Sequence, residues 1–285
     1  MTVEAGGRKT ATTAWLLSSP AAMLVILIAI VPSLLLLFQA FRTVDGTAFT
    51  AEHFQGLADS RLATQAFWRT IRVAVFTTLL TVLGGYPLAL LIARSRKGIA
   101  ELMLAIVIFP LMVSVVVRAF GWIVILGPSG IVNRLLIGLG VVGEPLSLIH
   151  NEFAIVVGET QLLLPYMVLS LLAVLRNVDP HLEEAAKSLG ANPAVTFLRV
   201  IVPVTIPGLL SGVLLVFSLA VTAFATPLIL GGARSPLLTT LLYRYVFSTY
   251  NWAAAAAIAV VLAVIALAFV TLQRIATRIW LKSHG

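Results

Sequence analysis

The chain has 285 residues and no cysteine, which excludes disulfides, thiolate metal sites and cysteine nucleophiles. Charge is scarce as well. Asp, Glu, Lys and Arg make up 11% of the residues, where a soluble domain carries about 25%. The four histidines, His53, His150, His181 and His284, lie far apart in the sequence, and no pair has metal-ligand spacing. No metal site is expected, and no catalytic residue. A Gly-x-x-x-x-Gly-Lys-[Ser/Thr] run is absent, so no P-loop is available to cradle nucleotide phosphates.

What is present is apolar. The chain is 60% hydrophobic with a mean hydropathy of +1.07, too apolar to cover itself with polar groups in water, so it needs a lipid bilayer around it. A hydrocarbon core about 30 Å thick takes about 20 helical residues. Six segments qualify, near 15–41, 71–93, 102–126, 153–175, 206–230 and 253–273. They are apolar all round and lack the period-two alternation of barrel strands, and backbone groups in lipid must bond within their own segment. The expected fold is therefore an all-α membrane protein of six transmembrane helices. The first apolar run follows Arg8 and Lys9 as a signal peptide would. It exceeds the 7–15 residues of a signal's apolar region, so a retained helix is expected.

The net charge is +8. The basic residues sit in short connections between apolar runs, not along one solvated face, so nucleic acid is not an expected partner. With the N-terminus inside the cell, eleven of the 19 Lys and Arg fall on the inner side and seven on the outer, with Arg118 inside a span. The bias is clearest at Arg94-Ser95-Arg96-Lys97. It predicts a cytoplasmic tail at 1–14, one membrane domain over 15–275 and a second cytoplasmic tail at 276–285. Loops at 42–70, 127–152 and 231–252 then face outward.

The inner loop at 176–205 is more than a linker. Asp179-Pro180 reads as a helix N-cap followed by proline in the first turn. Leu182, Ala185, Ala186 and Leu189 form one apolar stripe, and Gly190 stands where a left-handed residue would end the helix. Asn192-Pro193 opens a second helix expected to continue to Pro203. The product is a helix-turn-helix at the inner membrane face, with small alanines where a partner can come close.

Within this loop, Glu184-Ala185-Ala186, three residues, Gly190, nine residues and Val200-Ile201-Val202-Pro203 resemble the signature of bacterial ABC importer permeases. Valine stands at 200 where that signature has isoleucine, and at 202 where it has leucine. Gly130-Ile131-Val132-Asn133, Leu164-Pro165-Tyr166-Met167 and Phe224-Ala225-Thr226-Pro227 with Gly231-Gly232 are similar to the spermidine/putrescine-type subfamily of type I permeases. The resemblance implies the type I permease fold and assigns ATPase coupling to Glu183, Glu184, Ala185, Ala186, Gly190 and Pro203. It implies an ABC ATPase dimer that binds ATP and Mg in place of this chain, a second permease subunit, usually a paralogue, and an extracytoplasmic binding protein. It also implies residence in the bacterial inner membrane, and a small polar solute, a polyamine or related amine, as cargo.

Ionisable residues within spans are uncommon and point to function. Here they are Arg118 and Glu159, at similar depth in the outer half of the bilayer by residue count. Two readings stand: an ion pair that only neutralises both, or a lining of the translocation path made by Arg118, Trp122, Glu159 and Gln161. An indole and a carboxylate suit a cationic amine. An arginine near 118 fits the subfamily pattern, and an acid at 159 departs from it. Ser218, Thr222 and Thr226, at four-residue steps, predict one hydroxylated stripe that either lines the pore or packs. An ion-coupled secondary transporter is the alternative. It would need inverted repeats and several buried carboxylates, and neither is visible. A membrane enzyme would need a metal or nucleophile cluster.

Overall fold

A computed structural model describes residues 4–43, 48–179 and 181–284. The described residues are almost entirely helical, with one isolated bridge between Arg42 and Phe49. The order is α1 (Glu4–Ala40), α2 (Glu52–Asp59), α3 (Arg61–Arg94), α4 (Lys97–Met112), α5 (Val115–Leu126) and α6 (Ile131–Gly138). There follow α7 (Glu152–Leu175), α8 (His181–Ser188), α9 (Pro193–Thr196), a π-helical turn (Phe197–Ile201), α10 (Val202–Val221), a second π-helical turn (Pro227–Gly231), α11 (Leu238–Phe247) and α12 (Trp252–His284).

The expected all-α membrane architecture is present, with changes in its parts. Among the described residues five helical segments are long and apolar enough to cross a bilayer: 61–94, 115–138, 152–175, 193–221 and 252–275. The described apolar part of the first helix, Ile26–Ala40, is shorter, so five of the six expected spans are seen among the described residues.

The expected third span, 102–126, is broken at Val113 and Ser114, both with extended ψ. Ser114 favours a helix start over a helix interior, and the Val115-Val116-Val117 run behind it is stiff at χ1. The expected fifth span, 206–230, also divides. Its helix ends at Val221, where the Thr222 hydroxyl donates to the carbonyls of Ser218 and Leu219 at 3.0 and 3.2 Å. The chain then re-enters as the turn begun by Pro227.

Other boundaries move outward. Helix α1 begins at Glu4, within the expected N-terminal tail. Helix α3 begins at Arg61, ten residues before the apolar run, because the Ser60 hydroxyl caps it by accepting from the Ala63 N–H at 3.3 Å. The expected outer loops hold α2, α6 and α11.

The core lies where α3, α7 and α10 pack. Met167, Val168, Leu171, Leu172 and Leu175 of α7 are buried there beside Tyr86, Ala89 and Ile92 of α3 and Val216, Phe217 and Ala220 of α10. Small residues permit the approach: a Cβ on Gly212 would stand 2.6 Å from Met167 Sδ, and one on Gly208 would stand 2.7 Å from Val174. Helix α12 closes this side through Phe269, stacked on Phe217 at 3.8 Å between ring centroids. Its start packs Ala256 and Ala257 on Ala40 at the end of α1.

The outward-turned apolar surface, including Met23, Leu27, Phe76, Leu83, Ile106 and Leu267, belongs against lipid, as in any chain whose helices are solvated by hydrocarbon.

Candidate functional site: an exposed capped helix and a buried polar hollow

Pro180 lies outside the described residues, but the cap it would follow is formed: Asp179 Oδ1 accepts from the His181 N–H at 2.9 Å. Helix α8 has no buried residue. Its expected apolar stripe is present and uncovered, with Leu182 42% and Leu189 89% exposed. Ala185 is exposed and Ala186 half-buried on the same side.

Gly190 has φ +82°, the left-handed conformation expected of it. Its N–H donates to the Lys187 carbonyl at 2.9 Å and that of Ala191 to the Ala186 carbonyl at 3.0 Å, closing the turn. Asn192 Oδ1 caps the next helix by accepting from the Val195 N–H at 2.8 Å.

That second helix does not stop at Pro203. It runs from Pro193 to Val221 without a break. The π turn makes this possible. The Val202 N–H bonds to the Phe197 carbonyl, five residues back, so Pro203, half-buried, enters at the start of α10, where its missing N–H is tolerated.

Helix α3 grips this segment at two levels. Arg94 forms an ion pair with Glu183. Deeper in, the Tyr86 hydroxyl bonds to that of Thr205, and its ring meets Phe197 edge-on at 5.2 Å. Sequence reading missed both contacts, since Arg94 registered only as a topology signal. Glu184 points elsewhere, to exposed His181 at 3.0 Å.

The outer polar residues converge from α5, α7 and the second π turn. Trp122 Nε1 donates to Gln161 Oε1 at 2.9 Å. Gly158 brings the turn close, since a Cβ there would stand 2.6 Å from Leu230 Cδ1 and 2.8 Å from Thr226 Cγ2. A small hollow is lined by Arg118, Trp122, Gly158, Gln161 and Thr226. A larger cleft of about 300 Å³ is lined by Glu159, Leu162, Leu163, Tyr166, Leu219, Phe224 and Thr226.

Arg118 and Glu159 do not form an ion pair. Arg118 Nε and Nη1 and both Glu159 carboxylate oxygens are buried without a hydrogen-bond partner among the described residues. Glu159 is 1% exposed. Arg118 and Glu159 are near enough to act on each other through charge, with Thr226 beside the carboxylate, but no direct salt bridge joins them.

The hydroxyl stripe is not made either. Ser218 and Thr222 close α10, Thr222 exposed, and Thr226 is buried beyond the break.

Two further outer features were invisible as chemistry. Asn133 is fully buried. Its Nδ2 donates to the Gly127 and Leu146 carbonyls at 3.0 Å each, and its Oδ1 accepts from the Leu146 N–H at 2.8 Å. Gly130 before it is held against the Ile125 carbonyl, where a Cβ would stand at 2.3 Å. Arg69 and Arg72 of α3 both bind Glu152 at the start of α7, at 3.0 and 2.7 Å. Arg69 also donates to the Pro236 carbonyl at 3.2 Å.

A helical membrane bundle with an exposed, capped helix at one end and a buried polar hollow suits a transport permease. Residues 85–280 match the family of binding-protein-dependent transport system inner membrane components, and the chain belongs to that family. It is the membrane-spanning permease subunit of an ABC importer.

Among its relatives is the spermidine/putrescine transport system permease protein PotB of Haemophilus influenzae, 33% identical over 84% of this chain and 85% of that one. The molybdenum transport system permease protein ModB of Mycobacterium tuberculosis is 30% identical over 75% of this chain and 79% of its own. The fold matches that of a bacterial alginate ABC transporter solved with an alginate pentasaccharide-bound periplasmic protein. The TM-score is 0.76 at 20% identity, with 95% of this chain and 97% of that one covered.

Proposed function

We propose that this permease carries a polyamine or related amine inward across a bacterial inner membrane, taking it from an extracytoplasmic binding protein. Transport is driven by a separate ABC ATPase dimer, which binds the ATP and Mg. The observation that carries the coupling is the uncovered stripe of α8, with Leu182 and Leu189 turned to solvent around a left-handed Gly190. An apolar helix face rimmed by charge is a docking surface for a protein groove. Glu184, Ala185 and Ala186 would enter that groove, Glu183 would hold the helix to α3, and Gly190 and Pro203 would shape the segment behind it.

The amine reading rests on the PotB relative, whose identity and coverage exceed those of the molybdenum relative. A second permease, a paralogue, completes the path, with Arg118, Trp122, Glu159, Gln161, Ser218, Thr222 and Thr226 on this chain's side. Both termini face the cytoplasm.

The test is reconstitution with the ATPase, second permease and binding protein. Glu184→Ala and Gly190→Arg should insert normally and leave capture by the binding protein intact, while uptake and cargo-stimulated ATP hydrolysis fall. Parental behaviour of both variants overturns the coupling role. Uptake that proceeds without the ATPase indicates an ion-coupled transporter instead. Because the chain has no cysteine, single cysteines at Ser95, Ser188 and Ser283 read the orientation. They should react only after the membrane is opened.

A further inference from the structure

We propose that Glu159 is the specificity-determining residue of this chain, a counter-ion that holds one ammonium group of an aliphatic amine in the cleft between α7 and the break after α10. The inference rests on the amine-import reading above.

A carboxylate taken out of water needs a partner, and this one, 1% exposed, makes no well-formed hydrogen bond among the described residues, with only Thr226 and Arg118 as polar neighbours. Arg118 acts on it through charge but forms no direct salt bridge with it. Arg118 lines the small hollow and Glu159 the larger cleft, and Val115, Leu162 and Thr226 form the wall common to both. On the small side Gln161 is already bonded to Trp122.

The cleft facing Glu159 has the chemistry of an alkylammonium. Leu162, Leu163 and Leu219 offer apolar contact for a methylene chain. Tyr166 and Phe224 bring aromatic rings to the wall, and such rings attract cations. Its volume of about 300 Å³ is at the lower end for small-molecule pockets, about 300–1,000 Å³, so it suits one end of a chain more than a bulky solute. An anionic cargo would meet the carboxylate as a like charge.

The measurement is uptake of radiolabelled spermidine by the complete transporter in vesicles. Glu159→Gln should assemble and raise the KM for spermidine about tenfold or more, and Glu159→Asp, which keeps the charge, should fall between. An unchanged KM in Glu159→Gln overturns the counter-ion role and leaves amine import standing. A parental complex that moves neither spermidine nor putrescine overturns both.

A second measurement leaves Glu159 untouched. Ala223 lines the same cleft. In the cysteine-free chain, a cysteine at that position should react with a methanethiosulfonate ethylammonium reagent during turnover, and spermidine should slow the reaction. No protection by spermidine overturns the proposal, whatever the assembly of Glu159→Gln.

Discussion

The inner and outer functional regions handle charge in opposite ways. At the inner face Glu183 pairs with Arg94 and Glu184 with His181, all partly or largely exposed. Such pairs contribute about 0–1 kcal/mol, so they orient α8 without locking it. In the outer hollow Arg118 and Glu159 are near neighbours in depth, yet their buried atoms have no partner among the described residues. An unpaired buried charge costs several kcal/mol. The surrounding packing has to hold that arrangement, and beside it Gly158 sits tight under Leu230 and Trp122 bonds Gln161. Helix α8 thus keeps its polar groups solvated and its apolar stripe free, whereas the outer hollow keeps polar groups dry and poorly satisfied.

The contrast can be broken most sharply at Gly190. A Cβ there meets nothing within 4 Å in this chain, so Gly190→Ala should cost only the left-handed strain, about 1 kcal/mol. Gly190→Arg should nonetheless abolish most uptake, because the added bulk meets a partner. If both leave uptake intact in vesicles, α8 is not a docking surface.

The outer region should respond through stability instead. Asn133→Ala orphans one buried N–H and two carbonyls, at about 1–3 kcal/mol for each group left unsatisfied. It should lower the thermal midpoint in detergent by more than any inner-face change. Gly158→Ala puts a Cβ 2.6 Å from Leu230 and should destabilise by about 1–3 kcal/mol through overpacking. Its effect on uptake should exceed what the lost stability explains if the hollow lies on the path. The smallest effect is expected for exchanging the ion pair, Arg94→Glu with Glu183→Arg. Each single change should weaken ATPase coupling slightly, and the double variant should recover it, with a coupling energy below about 1 kcal/mol.

The parts legible in the sequence were those fixed by local chemistry. Asp179, Gly190 and Asn192 announce their caps and turn because each acts within a few residues of itself. Helix α7 starts at Glu152, behind the Asn151 cap, one residue from expectation. The breaks at Val113 and Thr222 were not legible, because an apolar run carries the same periodicity whether the helix is whole or divided. The Tyr86–Thr205 and Arg72–Glu152 contacts span 119 and 80 residues, a separation that no single-sequence pattern encodes. Arg118 and Glu159 stood out correctly as unusual. Their failure to meet depends on side-chain direction across two helices, which depth along the bilayer does not specify.

The unbroken helix from Pro193 to Val221 has a mechanical consequence. Its 29 residues span about 43 Å at 1.5 Å per residue. One end begins at the Gly190 turn, and the other ends at the residues that border the outer cleft. It is a lever arm. A tilt about the inner end displaces the far end by roughly 0.75 Å per degree at that length, so a rotation of about ten degrees sweeps a distance comparable to the width of a small solute. The π turn near its base is braced by Tyr86 of α3, through the ring of Phe197 within the turn and the Thr205 hydroxyl beyond it, which puts the natural fulcrum at α3. If α8 is the docking surface proposed above, work done on it would be delivered, enlarged, at the opposite side of the membrane.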